Sequence, residues 1–186
     1  RAMNIPMPPR NTITEDVARA ASKCLRFACA KHFTEEVVEN FANVLSGGTP
    51  ATDVLEYWDG EIVWVTPKDL GRPRNIEVNS AERTISQSGL RDSSAKLLPK
   101  GTILLSSRAP IGHLAIAGCA LSTNQGFKNI ICTARENNRF VFHMLRGSVE
   151  ELQKEGRGNT FLEIPARVVR NFKLPLPPLH IQEAVA

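Results

Sequence analysis

The stretch LLSSRAPIGHLAIAG, residues Leu104–Gly118, joins two short apolar runs through a polar turn that contains an arginine. Each run has the length and composition of a buried strand. Pro110 fixes the backbone of the connection, which lowers the entropy lost when the turn becomes ordered. Such a turn requires neither Arg108 nor the hydroxyl of Ser107. Both side chains are therefore candidates for a role beyond folding; the alternative is an arginine that braces the turn by pairing with a carboxylate.

The composition describes one ordinary globular domain with a basic body. The chain has 186 residues, of which 42% are hydrophobic, and this is enough to bury a core. No apolar run is long enough to span a bilayer and no signal peptide is visible, so we expect a soluble, cytoplasmic protein without membrane contact. Residues 1–60 carry six Lys/Arg and eight Asp/Glu, a net charge of −2, whereas residues 61–186 carry 17 and 11, a net charge of +6. A basic body is compatible with a polyanionic partner.

Periodicity predicts a mixed, α+β chain. An amphipathic helix is predicted over 12–33, with Thr12 and Glu15 at capping-box spacing, and a second helix over 34–45. The residues of the first helix expected to face the core are Val17, Ala20, Ala21, Cys24, Leu25 and Ala28. Strands are predicted over 61–66, 102–107, 113–118 and 127–133, and further helices over 135–147, 149–155 and 165–172.

The cysteines do not indicate a metal site. Cys24, Cys29, Cys119 and Cys132 form no C-x-x-C pair and have no histidine at ligand spacing. Cys24 and Cys29 lie about 140° apart around a helix, so they do not converge on one ion. We expect reduced, mostly buried thiols and no bound metal.

No string in the sequence carries the chemistry of a familiar enzyme. The glycine-rich loop and N/D-P-P-Y/F loop of adenine methyltransferases are missing, as are a D…E-x-K nuclease pattern, a phosphate loop and a G-x-S-x-G elbow. The four histidines, at 32, 113, 143 and 180, occur singly. We therefore expect a non-catalytic chain.

Residues 46–182, about 137 of the 186, contain six blocks in a distinctive order. The blocks are SGGTP…EYWDGEIVWVTPKDLG (46–71), TISQSGL (84–90), SSAKLLPKGTILLSSRAPIGHLAIAG (93–118), STNQGFKNI (122–130), GRGNTFLEI (156–164) and FKLPLPPLHIQ (172–182). Their order and spacing resemble the target-recognition domain of type I restriction–modification specificity subunits. The resemblance implies an α+β fold, namely a single target-recognition domain with a small twisted mixed β-sheet and packed short helices, to which the predicted first helix adds an N-terminal helical arm.

The resemblance also implies a function without catalysis. A specificity subunit of this family reads half of a split target in double-stranded DNA and holds an adenine-N6 methyltransferase over the site. The implied partners are therefore double-stranded DNA, the modification (methyltransferase) subunit and the restriction subunit. S-adenosylmethionine is expected on the methyltransferase subunit, and this chain is expected to bind no cofactor.

The domain organisation departs from that family in two respects, of which the first is that residues 1–33 resemble no part of it. We expect an N-terminal leader and helical arm over 1–33, a DNA target-recognition domain over 34–180, and the start of a truncated spacer helix over 181–186. A full subunit of the family has two recognition domains, and this chain has one. The chain is thus a half-subunit that forms a homodimer, a fragment, or the recognition domain of a fused restriction–methylation enzyme. A protein-interaction module without DNA affinity is the remaining alternative.

Sequence-specific binding needs groups that hold phosphates and planar polar groups that meet base edges. For Arg108 we favour phosphate contact or a role in the fold over base reading, because its block is shared by family members that read different targets. Asn124 and Gln125 have amides suited to adenine, although both can instead satisfy the backbone of their turn. The DNA-binding candidates are Lys68, Arg72, Arg74, Ser107, Arg108, Asn124, Gln125, Lys128, Arg157, Asn159 and Thr160.

Residues 72–100 are the stretch most free to differ between specificities. Its candidates for base reading are Arg72, Arg74, Asn75, Arg83, Gln87 and Arg91, each of which is more simply a solvated side chain. Trp58, Trp64 and Tyr57 are able to stack on bases, but we favour core packing for all three. For Asp69 we favour a loop cap over orienting a nearby cation or contacting a cytosine.

Overall fold

The structure is a computed structural model that describes residues 10–70, 76–108, 110–133, 136–155 and 163–186. The strands are β1 (Glu35–Val37), β2 (Ala42–Ser46), β3 (Trp58–Val65), β4 (Glu77–Val78), β5 (Arg83–Ile85), β6 (Ile103–Ser106), β7 (Leu114–Ala117), β8 (Ser122–Thr123), β9 (Phe127–Cys132) and β10 (Lys173–Pro175). The helices are α1 (Arg10–His32), α2 (Pro67–Leu70), α3 (Gln87–Arg91), α4 (Asn138–Gly147), α5 (Val149–Glu155), α6 (Ala166–Asn171) and α7 (Leu179–Val185). The α+β class is confirmed, but the described strands form three sheets where one was expected.

The largest sheet has five strands in the order β2-β9-β6-β7-β4. Its pairs are antiparallel except β4 with β7, so the sheet is mixed, as predicted. The apolar runs of the stretch 104–118 are β6 and β7, joined by the predicted turn. Ile103 and Leu105 face a core cluster with α4, whereas Leu104 faces a second cluster with Phe127. Burial on both faces explains why β6 is uniformly apolar and does not alternate.

The second sheet has three strands in the order β5-β3-β8 and carries a third core cluster around Trp58 and Trp64. Strand β3 contains a bulge, because both Trp58 and Ile62 pair with Ile85 of β5. Within the bulge Asp59 adopts a φ of +56°, a left-handed conformation that costs on the order of 1 kcal/mol.

The prediction of a helix over 34–45 is wrong. This segment forms β1, a 3₁₀ turn at Val38–Asn40, and β2. Its apolar residues satisfy a helical pattern by spacing alone, but they pair with distant strands: Val44 lies opposite Ile130 of β9, and Val37 opposite Lys173 of β10. Tertiary pairing therefore overrides the local pattern, as it often does for β-branched residues.

Helix α1 is present but turned relative to the prediction. Val17 is 63% exposed, and Ala20, Ala21, Cys24 and Ala28 are exposed as well, whereas Ser22 and Cys29 are buried. The inward face packs on α4 so closely that a Cβ at Gly147 would lie 2.6 Å from the Ser22 carbonyl oxygen. Ion pairs from Arg26 to Glu151 and from Arg146 to Glu15 fix this face. The helix also begins at Arg10, so Thr12 lies inside it and does not precede it.

The four cysteines are free, but their environments differ. Cys29 is buried, and burial raises the pKa of its thiol. Burial, with a smaller contribution from Glu136, raises the pKa of Cys132 to about 12. Cys24 is exposed and Cys119 and Cys132 are half-buried, so the expectation of mostly buried thiols is wrong. In the part of the chain that the structure describes, no helix is long and apolar enough to cross a membrane.

Two histidines near α1 make stability dependent on pH. Burial lowers the pKa of His113, helped by Arg19 and opposed by Glu15, and burial with Arg146 and Arg139 lowers the pKa of His143. The His143 Nδ1 atom also lies 3.1 Å from the Ser22 hydroxyl. Because the unfolded chain takes up protons first, we expect the free energy of unfolding to fall as pH drops below the ordinary value of 6.5.

The measurement is urea unfolding at about pH 7.5 and about pH 5.5, with His143→Gln compared at both. The substitution is expected to reduce the loss of stability at the lower pH. A profile that is flat across this window would contradict the assignment of neutral, partly buried histidines.

Candidate nucleic-acid interface

The turn after β6 is held by its own hydroxyl groups. The Ser106 hydroxyl donates to the Pro110 carbonyl oxygen at 2.6 Å and accepts from the His113 amide at 2.8 Å. Ser107 is fully buried, and both its amide and its hydroxyl donate to the carbonyl oxygen of Gly126. The predicted DNA contact of Ser107 therefore has no exposed hydroxyl to rely on. Both serines fix the turn that presents Arg108.

One carboxylate joins two of the predicted cations. The Glu163 Oε2 atom accepts from Arg108 Nε at 2.9 Å, and its Oε1 atom accepts from Lys128 Nζ at 3.1 Å. The Lys128 side chain is only 5% exposed, whereas that of Arg108 is 50% exposed. The Lys128 side chain is thus buried inside the fold, whereas part of the Arg108 side chain is exposed to solvent. We call Arg108, Lys128 and Glu163 the bridged cluster.

The charge balance of the bridged cluster follows from the pKa of Glu163. Burial acts to raise this pKa, but the hydrogen bonds from Lys128 and Arg108 outweigh burial and hold the pKa below its ordinary value. Glu163 is therefore ionised at neutral pH. One negative charge sits between two positive charges, so the cluster keeps a net positive charge for an anionic ligand.

The segment Asn124–Gly126 lies beside the bridged cluster, because Gly126 is the residue that binds Ser107. The Asn124 side-chain oxygen accepts from the Gly126 amide at 2.9 Å, and the Gln125 side-chain oxygen accepts from the Thr49 hydroxyl. The oxygen of each amide thus satisfies the fold. Among the residues that the structure describes, neither side-chain nitrogen donates a hydrogen bond, so both donors remain available to a ligand.

Lys68 and Asp69 lie on the short helix after β3. Lys68 pairs with Glu82 at 2.7 Å, and both side chains are well exposed. Asp69 accepts from the Thr66 amide at 2.8 Å and from the Glu82 amide at 3.0 Å. This confirms Asp69 as a loop cap. Lys68 is thus a surface cation, and its predicted contact with DNA stays a prediction.

The arginines of the 72–100 stretch differ in their partners. Arg91 binds both oxygens of the adjacent Asp92 at 2.8 Å. Arg83 instead lies over the ring of Trp58, with its guanidinium carbon 3.5 Å from the ring centre. Trp58 and Trp64 are 7% and 5% exposed, which confirms that they pack in the core.

Several predicted site residues lie outside the described residues. They are Arg72, Arg74, Asn75, Arg157, Asn159 and Thr160. Their predicted contacts with DNA stay predictions. Within the described ranges, no three His, Cys, Asp or Glu side chains come together as ligands for a metal ion.

Glu163 is the site residue that the sequence patterns did not predict. It belongs to one of the six blocks, but the contacts predicted for those blocks involve basic, amide and hydroxyl side chains. A signal was present in Lys128, which stands among apolar residues in the strand FKNIIC. A lysine buried in a central strand requires a carboxylate partner, because an unpaired buried charge is costly.

The comparisons with known proteins identify the family. Residues 34–186 match the family described as type I restriction modification DNA specificity domain, and this chain belongs to that family. It is 36% identical over 158 residues to the type I restriction enzyme MjaIX specificity subunit of Methanocaldococcus jannaschii, covering 84% of this chain and 37% of that protein. It is 29% identical over 146 residues to the EcoR124I/EcoR124II specificity subunit of Escherichia coli, covering 75% of this chain and 35% of that protein.

Solved structures share the fold. The crystal structure of the HsdS subunit from Thermoanaerobacter tengcongensis aligns with a TM-score of 0.66 at 18% identity, covering 92% of this chain and 43% of that one. A chain from a study of complex assembly and conformational transition of the type I R-M system aligns with a TM-score of 0.68 at 19% identity, covering 94% and 44%. This chain thus spans well under half the length of these relatives. Because the sequence relatives are named specificity subunits, the prediction of a non-catalytic component is confirmed.

The bridged cluster makes a prediction about stability. Glu163→Gln leaves the buried Lys128 ammonium without a counter-ion, so the free energy of unfolding should fall by about 2 kcal/mol, less than for a fully buried pair. Urea unfolding at neutral pH measures this change. The matched control is Glu82→Gln, which breaks the exposed pair with Lys68 and should cost less than about 0.5 kcal/mol. Equal effects of the two substitutions would contradict a structural role for Glu163.

Proposed function

We propose that this chain is the DNA-reading part of a type I restriction–modification specificity subunit. It acts in the cytoplasm, binds double-stranded DNA in a sequence-specific way, and positions an adenine-N6 methyltransferase subunit and a restriction subunit on the target. The observation that carries the proposal is the match of residues 34–186 to a family described as a DNA specificity domain. In this proposal S-adenosylmethionine belongs to the methyltransferase subunit, and this chain binds none.

The bridged cluster supports the phosphate-binding part of the proposal. Arg108 is half exposed, and among the described residues its side chain donates only from Nε, to Glu163, so its other nitrogens are available to an anion. The free amide nitrogens of Asn124 and Gln125 extend the same surface with neutral donors. Phosphate contacts of this kind fix the register of a protein on the duplex, and side chains on adjacent loops then meet base edges.

The chemical step belongs to the partner in this proposal. Methylation of adenine requires the base to leave the stack and enter a catalytic pocket. The role of this chain is to hold that pocket over one sequence. Positioning alone is enough to give the complex its specificity.

The experiment is a selection from a random duplex pool, with and without the methyltransferase subunit, followed by a salt titration on the enriched duplex. We expect a short motif to be enriched and affinity to fall steeply as salt rises. Arg108→Gln should weaken binding to all sequences alike and reduce the salt slope by about 1. Lys23→Gln, an exposed lysine of α1 paired with Glu150, is the control and should have little effect.

Enrichment only in the presence of the methyltransferase subunit would show that the domain needs assembly before it reads DNA. The absence of a motif in both arms would contradict the proposed function. It would leave the alternative of a protein-interaction module without DNA affinity.

A second candidate function is contact with another copy of this chain through α1. Its outward face carries Val17 and Phe27, each 63% exposed, together with exposed alanines at 20, 21 and 28. This three-and-four spacing is typical of helix–helix contacts. Exposed Asp16 lies toward one end of the face and Lys31 toward the other, so two antiparallel copies would place opposite charges together. A homodimer of this kind would join two recognition domains.

Light scattering across a concentration series tests this contact. Phe27→Glu should convert a dimer to a monomer because it buries a charge in the apolar face. Leu55→Glu, at an 83% exposed position in a different part of the fold, should leave the mass unchanged. A monomeric parent chain at every concentration would refute self-association by α1.

A further inference from the structure

Arg83 is held by an aromatic ring and not by a carboxylate. Its guanidinium carbon lies 3.5 Å from the centre of the Trp58 ring and 5.8 Å from that of Trp64. Within the described part of the chain its side chain makes no hydrogen bond and no ion pair. The arginines that do pair with carboxylates are Arg26, Arg91, Arg108, Arg139 and Arg146. Arg83 is exposed, so the edge of its guanidinium faces solvent with its donors unused.

The platform beneath Arg83 is rigid. The indole N–H of Trp58 donates to the Ala51 carbonyl oxygen at 3.1 Å, and that of Trp64 donates to the Gly48 carbonyl oxygen at 3.0 Å. The two rings meet edge to face with centres 5.1 Å apart. The backbone at Gly48 packs so tightly that a Cβ there would lie 2.3 Å from the Ser94 carbonyl carbon. The ring that carries Arg83 therefore has a fixed position and a fixed plane.

Arg83 is connected to the Asn124–Gly126 segment through the three-stranded sheet and the loop beside it. It lies directly opposite Trp64 across the β3–β5 pair, so the two side chains share one face of the three-stranded sheet. On the other side of β3 lies β8, which runs directly into Asn124. The loop that accepts both indole N–H groups also contains Thr49, which donates to Gln125. One continuous network of contacts thus connects Arg83 to the Asn124–Gly126 segment.

A stacked guanidinium is suited to a planar pair of acceptors. Its five N–H groups lie in one plane, and stacking fixes that plane before the ligand arrives. The major-groove edge of guanine presents N7 and O6 side by side, and arginine is the side chain that contacts this pair most often. A phosphate also accepts from arginine, often through two parallel N–H groups, but a lysine still binds a phosphate as a point charge.

We propose that Arg83 reads a guanine in the major groove of the DNA target, with Trp58 as the platform that orients it. This inference rests on the proposed function, since it names one base-reading contact within it. Arg108, whose position Glu163 fixes, then contributes a sequence-independent phosphate contact. Arg83 contributes discrimination at one base pair.

The experiment repeats the selection from a random duplex pool with the parent chain, Arg83→Lys and Arg91→Lys. Arg83→Lys retains the positive charge but loses the planar guanidinium with its paired N–H donors. The substitution therefore distinguishes a planar contact with a base from a contact that needs only the charge. Arg91→Lys is the matched control, because two N–H groups of that arginine already donate to the carboxylate of Asp92. Affinity is then measured for the enriched duplex and for single substitutions at each guanine. Thermal unfolding checks that the variants remain folded.

We expect the parent chain to prefer guanine at one position by about five- to 150-fold over the other bases. Arg83→Lys should lose that preference and leave the rest of the motif intact, and Arg91→Lys should enrich the parent motif. Two results would overturn the inference while the proposed function stands: an unchanged motif for Arg83→Lys, or equal weakening on all sequences. If the parent chain enriches no motif either alone or with the methyltransferase subunit, both the proposed function and this contact are refuted.

Discussion

A single carboxylate, Glu163, links the stability of the fold to the placement of a surface cation. Lys128 lies in β9 with its ammonium almost wholly removed from water, a position that is costly without a counter-ion. Its partner comes from a segment 35 residues further along the chain. That segment is held next to β6 by the amide of Ile164, which donates to the Ser107 carbonyl oxygen at 2.9 Å. The other oxygen of the same carboxylate binds Arg108.

Two arginines on this protein are oriented by different physical means. Arg108 is fixed by a charge, which leaves it cationic but shares part of its donor edge. Arg83 is fixed by a ring, and its N–H groups have no hydrogen-bond partner among the residues that the structure describes. In the proposed function these supports correspond to two tasks, because phosphates need a positioned charge whereas bases need a positioned plane. The tryptophans therefore serve binding through the arginine they carry, and their own burial is compatible with that role.

Local sequence signals correctly predicted the strands on either side of the turn between β6 and β7. They failed where contacts between residues distant in sequence determine the secondary structure. The stretch 104–118 is flanked by uniformly apolar runs, and these are strands β6 and β7. Residues 34–45 have helical spacing, yet pairing with β9 and β10 makes them strands. The spacing of α1 identified a helix but not its inward face, because Ser22 and Gly147 permit a close approach that no hydrophobic pattern encodes. Glu163 was missed for the same reason: its partners are distant in sequence. The six blocks led to the family, because their order and spacing together identify it although no single residue does.

The most direct measurement is the duplex affinity of Glu163→Gln, compared with the parent chain on one duplex at constant salt. Removal of a negative charge near a polyanion should by simple electrostatics tighten binding. A positioning role for Glu163 requires the opposite, because the carboxylate fixes the turn and the arginine that meets the phosphate. We therefore expect weaker binding for folded Glu163→Gln, and no further loss when Arg108→Gln is added to it. Tighter binding of Glu163→Gln would contradict the claim that this carboxylate positions Arg108 for DNA.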